Sequence, residues 1–469
     1  MRVIPYLLTL LTGAARLPAD DKPPTPAQAP ALLEEALTLA QSVPDRAERA
    51  DAVGLVAAEL AKSDPKRALE LLKGELGTHE QSLAMASAAE SLAQHNRLLG
   101  LATLLRIGDV STMMVALTDI VAVEALTDLD EALKITDHIE PLTVQQMVER
   151  EVTRVIWADI PGDRAAAVDV AVKWARTISD PVTRYEALAY AAEGAATVDL
   201  ARGQEVAQSI PDTEPRDLAL RLVTEHLAAS DPAAAQNLLG AIQTPLQRNL
   251  AAVAVVAGLG KAGRGDEAGR LAAAVRKSVD ADLENPLERG EVLEPLAIAI
   301  VDREPTTALS IASEVWPPAR RLALQCRLAT SKAHKDPSLR RELIRDAWLE
   351  VRRNDSPLIQ RQIASAALAS AALVAPELLD EMVRERPELV QASLPAAVRS
   401  LAAEHAETAL ALIGRMEDAR AAEQAKAALV AAVVGTNPEV ARGIADTLAL
   451  PGPKSAALVA LAAGGDRAR

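Results

Sequence analysis

The sequence predicts an all-α fold, a right-handed αα-solenoid of about twelve helix hairpins with about 34 residues each. Three observations lead to this prediction. Apolar residues recur with helical spacing from Ala31 onward, and no stretch alternates apolar and polar residues as a half-buried strand does. Two different turn markers repeat along the same stretch, half a unit apart. A regular repeat with two helices per unit is typical of solenoids, in which each hairpin packs on its neighbours.

The first marker is an acidic or amide residue followed by proline. Its clearest copies are Asp64-Pro65, Asp231-Pro232, Glu304-Pro305, Asp336-Pro337 and Asn437-Pro438. Such a side chain caps the first free N–H groups of a helix, and proline fits the first helical position because its missing N–H would have no partner there. After four of these pairs, an alanine and then an aliphatic residue follow at intervals of three: Ala68 and Leu71, Ala235 and Leu238, Ala308 and Ile311, Ala441 and Ile444. Each pair therefore predicts the start of a helix.

The second marker is an arginine three residues before an alanine. Its clearest copies, which are evenly spaced, are Arg184, Arg216 and Arg248, and looser copies are Arg49 and Arg361. Turn markers along the chain recur at nearly constant intervals, apart from one double interval. This spacing leaves room for about twelve helix pairs. The markers between residues 73 and 135 are weak, so the repeat register is least defined there.

The N-terminal segment differs in composition from the rest of the chain. Residues 1–15 have a basic start, an apolar stretch and the small residues Gly13-Ala14-Ala15, which is typical of a short secretory signal peptide. Residues 16–30 are rich in proline and polar residues, as linkers are. We therefore expect a signal peptide at 1–15, a linker at 16–30 and one repeat domain at 31–469. The protein is then exported to the periplasm or cell surface, with no transmembrane segment after cleavage. The alternative is an ordinary first helix and a cytoplasmic protein.

Composition limits what the chain binds. Apolar residues make up 49% of the 469 residues, but aromatic residues make up only 1% and phenylalanine is absent, so aliphatic side chains must fill the core. The net charge of −15 argues against nucleic-acid binding, which needs a basic face. The single cysteine, Cys326, excludes an internal disulfide and is predicted to be a core thiol. Trp316 and Trp348 are separated by the same interval as successive arginine markers and are predicted to occupy equivalent positions in neighbouring units.

The charges are unevenly spread. Between Pro317 and Asn354 ten basic residues face four acidic ones, whereas the segment from Asp119 to Glu151 has a net charge of −7. Two interpretations stay open: solvated helix faces that vary in charge, or a basic docking surface for an acidic partner. Arginine and tryptophan dominate binding hot spots. The candidate partner-binding residues are therefore Arg320, Arg321, Arg340, Arg341, Arg345, Trp316 and Trp348.

Motifs for catalysis, cofactors and metals give no positive prediction. Gly258-Leu-Gly260-Lys-Ala-Gly263 matches GxGxxG, but the repeat register predicts an inter-helix loop over Gly258–Gly265 rather than the strand-to-helix turn of a dinucleotide site. The six histidines lack the HExxH spacing of a zinc site: His79, His95, His138, His226, His334 and His405. No Gly-x-Ser-x-Gly elbow occurs, and no pair of carboxylates can be singled out as acid and base. We expect no catalytic, cofactor-binding or metal-binding residues.

A unit of about 34 residues with two helices is similar to the tetratricopeptide repeat, and the Arg, Asp and Pro residues at the turns resemble those of HEAT repeats. The resemblance covers most of residues 31–469 through repeat length and helix pairing. The small residues that match the early second helix of the family are Ala68, Ala235, Ala308 and Ala441. The family's aromatic and glycine positions hold Ala, Leu and Val here, so no ligand-binding residue carries over.

The function predicted from the sequence is a non-enzymatic protein–protein interaction scaffold that presents an extended superhelical surface. Its partner is an unidentified protein, an acidic one if the arginine-rich segment is the docking surface. One alternative is an α/α ligand-binding or enzymatic domain with its site in the concavity of the solenoid. Another is an accessory domain that serves a separate protein.

Overall fold

The structure, a computed structural model, describes residues 29–73, 79–94, 96–160 and 162–467. About 80% of the described residues are helical and none of them lies in a strand, which confirms the all-α prediction. The first thirteen helices are α1 Ala29–Gln41, α2 Arg46–Ala61, α3 Pro65–Leu71, α4 His79–Ala93, α5 Arg97–Leu104, α6 Val110–Thr127, α7 Leu129–Thr136, α8 Leu142–Ala158, α9 Arg164–Thr177, α10 Pro181–Val198, α11 Leu200–Gln208, α12 Thr213–Ala228 and α13 Pro232–Leu238. The remaining helices are α14 Pro245–Lys261, α15 Gly265–Asp282, α16 Pro286–Ile300, α17 Pro305–Ala312, α18 Pro318–Ala329, α19 Pro337–Arg353, α20 Pro357–Val374, α21 Pro376–Glu385, α22 Pro387–Leu401, α23 Ala406–Ile413, α24 Ala419–Val433, α25 Pro438–Asp446 and α26 Pro451–Arg467.

The helices form two compact units. The first unit combines the two ends of the chain, up to Ala116 and from Ala364 onward, and the second contains Leu117–Ile363. Both units are built of paired helices. The prediction of one repeat domain over residues 31–469 stays a prediction. The predicted signal peptide at 1–15 lies outside the described residues, as does the predicted linker apart from its last two residues, which already belong to α1.

The first unit joins the N-terminal helix to the C-terminal helix. Helix α1 packs on α26, and α26 also packs on α2 and α24. The hydroxyl of Ser455 on α26 donates a hydrogen bond of 2.9 Å to the carbonyl oxygen of Ala36 on α1, and both residues are fully buried. The core of this unit therefore depends on residues from the two ends of the sequence.

The second unit has two layers of helices, and successive helices of the chain alternate between the layers. The long helices α8, α10, α12, α14 and α16 pack side by side in chain order. Helices α9, α11 and α13 each contact the long helices before and after them, and apolar side chains fill the space between the layers. The largest fully buried side chain is Trp174 on α9, and its indole N–H donates a hydrogen bond of 2.8 Å to the carbonyl oxygen of Glu149.

Side-chain caps explain where the helices begin. Asp64, Asp231, Asp336 and Asn437 each accept a hydrogen bond of 2.8–3.1 Å from a backbone N–H in the first turn of the following helix. Glu304 precedes α17 without such a bond. The predicted helix starts are therefore correct at all five markers, and the predicted cap forms at four of them.

The weakly marked segment between residues 73 and 135 follows the same register. Asn96 and Asp128 cap α5 and α7, and they continue the even spacing that begins with the cap at Asp64. The residue four positions after each cap is small and buried, as shown by Ala68, Gly100 and Ala132. A Cβ atom at Gly100 would lie 2.7 Å from the carbonyl oxygen of Ala89, so this position brings the second helix close to the first.

The arginine marker also has a structural role. Arg49 and Arg184 each donate a hydrogen bond of 2.9–3.0 Å to a backbone carbonyl six residues earlier, at the end of the preceding hairpin. Arg248 instead forms an ion pair of 3.3 Å with Asp282. The alanines three residues after Arg184 and Arg248 are fully buried. The marker therefore indicates the start of a first helix, where arginine satisfies carbonyl groups that the turn leaves unpaired.

The prediction for Gly258–Gly265 was partly wrong. Helix α14 continues through Gly258 and Gly260 and ends at Lys261, so only residues 262–264 form the loop before α15. A Cβ atom at Gly258 would overlap the carbonyl oxygen of Ala228 on α12, which explains why glycine occurs within the helix. The residues before Gly258 are helical, so the strand that a dinucleotide-binding GxGxxG motif follows is not present there.

One described helix, α6, is long and apolar enough to cross a membrane by length and composition alone. Only 39% of its residues are buried in the protein. The division of the chain into two units falls within this helix, after Ala116.

Candidate functional site

A network of ionisable side chains lies across the neighbouring helices α6, α8, α10 and α12 of the second unit. We call it the charged face, and its members are Asp119, Arg150, Glu151, Arg154, Asp159, Glu186, Tyr190, Glu193, Arg221 and Glu225. The side chains of its ion pairs are 21–39% exposed. The face thus contains three guanidinium groups and six carboxyl groups in a half-buried environment, where charges interact more strongly than at an open surface.

Helix α8 contributes the central arginines. Arg150 forms ion pairs with Glu151 on the same helix, at 3.4 Å, and with Glu186 on α10, at 3.0 Å. Arg154 pairs with Glu151 at 3.2 Å and with Asp159 at 3.3 Å. Arg150 and Arg154 lie on one side of α8 because they are four positions apart. Both arginines are therefore already shared between two carboxylates.

Helix α12 adds one further pair. Arg221 and Glu225 form an ion pair of 2.6 Å between positions four residues apart. Glu225 has the same place in the repeat register as Glu193 of α10, so the two carboxylates occupy equivalent positions in successive first helices. Their repulsion raises the pKa of Glu193, although burial makes the larger contribution.

Glu193 is the most perturbed carboxyl group of the face. Burial, then the charge of Glu225, raises its pKa to about 7, against the opposing effects of Arg221 and Arg154. No hydrogen bond or ion pair reaches its side chain from any residue that the structure describes. Glu193 therefore carries a partial negative charge at neutral pH without a counter-ion of its own.

Asp119 on α6 is in a similar position. Burial, then the charge of Asp159, raises its pKa to about 6. Arg154 lowers this pKa, but its guanidinium already contacts Glu151 and Asp159. Within the described part of the chain Asp119 likewise has no hydrogen bond or ion pair. The charged face thus has two carboxyl groups whose ionisation the protein does not compensate fully.

A tryptophan packs beneath this part of the face. Trp157 on α8 is 9% exposed, and its ring lies against Gly194, the residue next to Glu193. A Cβ atom at position 194 would lie 2.6 Å from the indole ring, so glycine allows α8 and α10 to pack closely here. This close packing of α8 against α10 lies next to Glu193 in the sequence, and burial is the main cause of the raised pKa of Glu193.

Metal and thiol chemistry gain no support from the described residues. They contain no group of three or more His, Cys, Asp or Glu side chains that could hold a metal ion. Cys326 is fully buried, and burial raises the pKa of its thiol to about 12, which agrees with the predicted core position. A thiol in this state is a poor nucleophile.

The arginines predicted from the sequence lie on α18 and α19, outside the charged face. Arg320 forms an ion pair with Glu294, and Arg321 is half-buried. Arg340 donates a hydrogen bond of 2.9 Å to the carbonyl oxygen of Ser331. Two of these three side chains therefore already interact within the protein.

The other two arginines and the tryptophans differ in exposure. Arg341 and Arg345 are exposed and lie one turn apart on α19, and each has further polar interactions within the protein. Trp316 lies before α18 and is 49% exposed, whereas Trp348 lies within α19 and is 3% exposed. The prediction that the tryptophans occupy equivalent positions was wrong, because their regular spacing does not match the lengths of these two hairpins. The partner-binding role of these residues stays a prediction.

Sequence reasoning missed the charged face. The acidic segment from Asp119 to Glu151 was visible, but the sequence did not show that Asp119 lies near Arg154 and Asp159, or that Glu151 lies near Tyr190 of α10. One usable signal was the repeat register: Glu193 and Glu225 both lie nine residues after an arginine marker, where Ala257 follows Arg248. A charged residue at a position that another repeat fills with alanine indicates a specialised surface.

Comparison with known proteins gave no match to a family model, to a curated protein or to a solved structure.

Proposed function

We propose that this chain is a non-enzymatic scaffold that binds a protein partner through a surface formed by successive helix hairpins. Its paired helices are then repeats of a right-handed α-solenoid of about twelve hairpins, similar to tetratricopeptide and HEAT repeats. Capped helix pairs at regular intervals support this proposal, as do the side-by-side first helices of the second unit. Export with removal of residues 1–15 belongs to the same proposal. A mature N-terminus at Met1, measured by mass spectrometry of the native protein, would contradict the export step.

Within this scaffold, we assign the charged face as a binding surface for a partner that presents lysine or arginine side chains. The observation that carries the assignment is that Asp119 and Glu193 have no ion-pair partner among the described residues, on a face where the other carboxylates are paired. An incoming ammonium or guanidinium group would supply the missing positive charge. Half-buried charges are screened less by salt than exposed ones, so such a contact would be selective as well as attractive.

A basic partner fits the structure better than the acidic partner predicted from the arginine-rich segment. Arg320 already pairs with Glu294, and Arg340 already donates to Ser331. Binding an acidic partner there requires the exchange of existing contacts, whereas binding a cation at Glu193 requires none. The acidic partner at Arg341 and Arg345 stays a prediction from the sequence.

A titration with charged peptides tests the assignment. Fluorescence anisotropy of labelled hexalysine and hexaglutamate is measured against the full chain and against an Asp119→Asn/Glu193→Gln variant. We expect hexalysine to bind, and the double variant to weaken this binding at least about fivefold, because it removes both uncompensated carboxylates. Glu205→Gln, an exposed carboxylate on α11 of the same unit, is the matched control. Equal binding of the two peptides, or equal binding by the double variant, would contradict the assignment.

The second candidate function is an α/α ligand-binding or enzymatic domain that uses the same face. The observation that favours it is the pKa of Glu193, which is about 7 and therefore suits a general acid or base at neutral pH. The two candidates differ in the size of the ligand. A small amine such as spermidine that raises the melting temperature of the wild-type chain but not of Glu193→Gln, with no effect of hexalysine, would favour this second function.

A further inference from the structure

Several short second helices of the hairpins share an outward face. Counted from the capping residue, the positions two, six and nine residues later are exposed and lie on one side of the helix. The residues at these three positions are Lys66, Glu70 and Lys73 in α3, Asp130, Lys134 and Asp137 in α7, Thr306, Ser310 and Ser313 in α17, and Glu439, Gly443 and Asp446 in α25. This register therefore places charged, polar or small residues in water, as expected for the outside of a solenoid.

Helix α5 departs from this rule. Its cap is Asn96, and the three corresponding positions hold Leu98, Ala102 and Leu105. Leu98 is 73% exposed and Leu105 is 83% exposed. The repeat thus provides an internal comparison: the fold does not require apolar residues at these positions, because equivalent helices have polar ones. Two leucines that face water on one side of a helix indicate a surface that something else covers.

Two valines that follow this helix in the sequence are also exposed. Val110, at the start of α6, is 57% exposed, and Val115 on the next turn is 48% exposed. The exposed polar neighbour is basic, since Arg106 directly follows Leu105 and is exposed. The one carboxylate between residues 97 and 115 is Asp109, which is half-buried and accepts hydrogen bonds from the N–H groups of Ser111 and Thr112 at 3.3 Å each. Residues 97–115 thus contain two arginines and one aspartate, a net charge of +1 in a chain of net charge −15.

We propose that the exposed face of α5, formed by Leu98, Ala102 and Leu105, binds the surface of an anionic lipid bilayer. Leucines inserted below the headgroups leave water, and a neighbouring arginine contacts the anionic headgroups. The net positive charge of residues 97–115 matters because a chain with a net charge of −15 is repelled by such a membrane elsewhere. This inference uses the first unit and does not depend on the function proposed for the charged face.

A second copy of the chain fits the patch less well. Positions two to nine after the cap span about 10 Å along the helix at 1.5 Å per residue. A stable protein interface buries about 800 Å² on each partner, which is much more than three side chains provide. A bilayer has no such requirement, since each apolar side chain inserts independently of a matching surface.

Vesicle binding by the full chain tests the proposal. Sedimentation is measured with vesicles of phosphatidylcholine alone and with vesicles of equal parts phosphatidylcholine and phosphatidylglycerol. We expect binding to the anionic vesicles, and a loss of at least about tenfold in the Leu98→Gln/Leu105→Gln variant. Arg106→Gln should weaken binding less and reduce its salt dependence. The matched control is Leu358→Gln on α20, because Leu358 has a similar exposure of 77% but lies outside the face of α5.

A probe at the patch gives a second, independent readout. Cys326 is fully buried, so an environment-sensitive fluorophore attached to Leu105→Cys labels the patch selectively. We expect its emission to shift to the blue with anionic vesicles and to stay unchanged with neutral ones. Carbonate should extract the bound protein, as it does for surface-bound proteins.

Several outcomes would overturn the proposal. Equal sedimentation of wild type and the leucine variant would show that these side chains do not contact lipid. Protein that resists carbonate would indicate a spanning helix such as α6 instead. A wild-type dimer in light scattering that the leucine variant converts to a monomer would identify a second copy as the occupant. Each variant should retain the wild-type circular-dichroism spectrum, because every substituted side chain is exposed.

Discussion

Replacing Glu193 by glutamine should stabilise the second unit at high pH and not at low pH. The pKa of Glu193 is about 7 in the folded chain, compared with 4.5 for an unperturbed glutamate. A raised pKa means that the folded state binds more protons than the unfolded state between these two values. The wild type therefore loses stability from this group as the pH rises from about 4.5 to about 7, whereas glutamine has no charge to bury.

The magnitude follows from the size of the shift. A difference of about 2.5 pH units corresponds to about 3.4 kcal/mol at 1.36 kcal/mol per unit, and this is an upper limit. Glu193 is half-buried, so solvent screening reduces the effect. We expect Glu193→Gln to raise the free energy of unfolding by about 1–2 kcal/mol at pH 8 and by less than about 0.5 kcal/mol at pH 4.5.

Urea unfolding followed by tryptophan emission measures this effect in the correct unit. The chain has four tryptophans, and all of them lie in the second unit, between Leu117 and Ile363. Transitions are recorded at pH 4.5 and pH 8 for the wild type, Glu193→Gln and the control Glu205→Gln. The control, an exposed carboxylate on α11, should change stability by less than about 0.5 kcal/mol at both values. A gain for Glu193→Gln that is equal at both pH values, or a loss at pH 8, would refute the reasoning.

Three further predictions concern the packing of the two units. Asp217 is fully buried and accepts hydrogen bonds of 2.5–2.9 Å from two backbone N–H groups and from the hydroxyl of Thr244. Asp217→Ala should therefore lower the free energy of unfolding by about 2–4 kcal/mol in the same urea assay. No loss of stability would show that these bonds are dispensable. Gly258→Ala should lower it by about 1–3 kcal/mol, because the new Cβ overlaps the carbonyl oxygen of Ala228, and an unchanged midpoint would contradict this close contact. Deleting Pro451–Arg467 removes the helix that packs on α1, so the first unit should lose its helical circular-dichroism signal at a lower temperature than in the wild type. The thermal transition seen by tryptophan emission, which reports on the second unit, should stay within about 2 °C of the wild-type value. A parallel shift of both signals would contradict the separation into two units.

Local patterns in the sequence predicted the secondary structure well, because the signals lie within a few residues of the structure they specify. Caps such as Asp64 and Asp231 bond to N–H groups three residues away. The caps at Asn96 and Asp128 were missed because no proline follows them, although a small residue four positions later was a sufficient marker. At Gly258 the register misled, because glycine there serves contact between helices rather than a turn.

Long-range contacts could not be predicted in the same way. Ser455 and Ala36 are 419 residues apart, and neither residue carries a local pattern that indicates its partner. The charged face combines side chains from four helices, and the pKa of Glu193 depends on burial and on charges from α8 and α12 that exist only in the folded chain. The arginine-rich segment was conspicuous in the sequence for its net charge, but net charge does not show that Arg320 already has a carboxylate partner.

The most direct test of the proposed function is proton release when a basic peptide binds the charged face. At pH 6.5 a group with a pKa of about 7 is mostly protonated, and one with a pKa of about 6 is partly so. A bound cation favours both carboxylates in their ionised form, so binding should release about one proton per peptide. Calorimetric titration of hexalysine into the full chain at pH 6.5, in MES and in imidazole buffers, measures this number from the difference in heat. We predict about one proton for the wild type and none for Asp119→Asn/Glu193→Gln. A heat of binding that is the same in both buffers for the wild type would contradict the assignment of Asp119 and Glu193 as the binding groups.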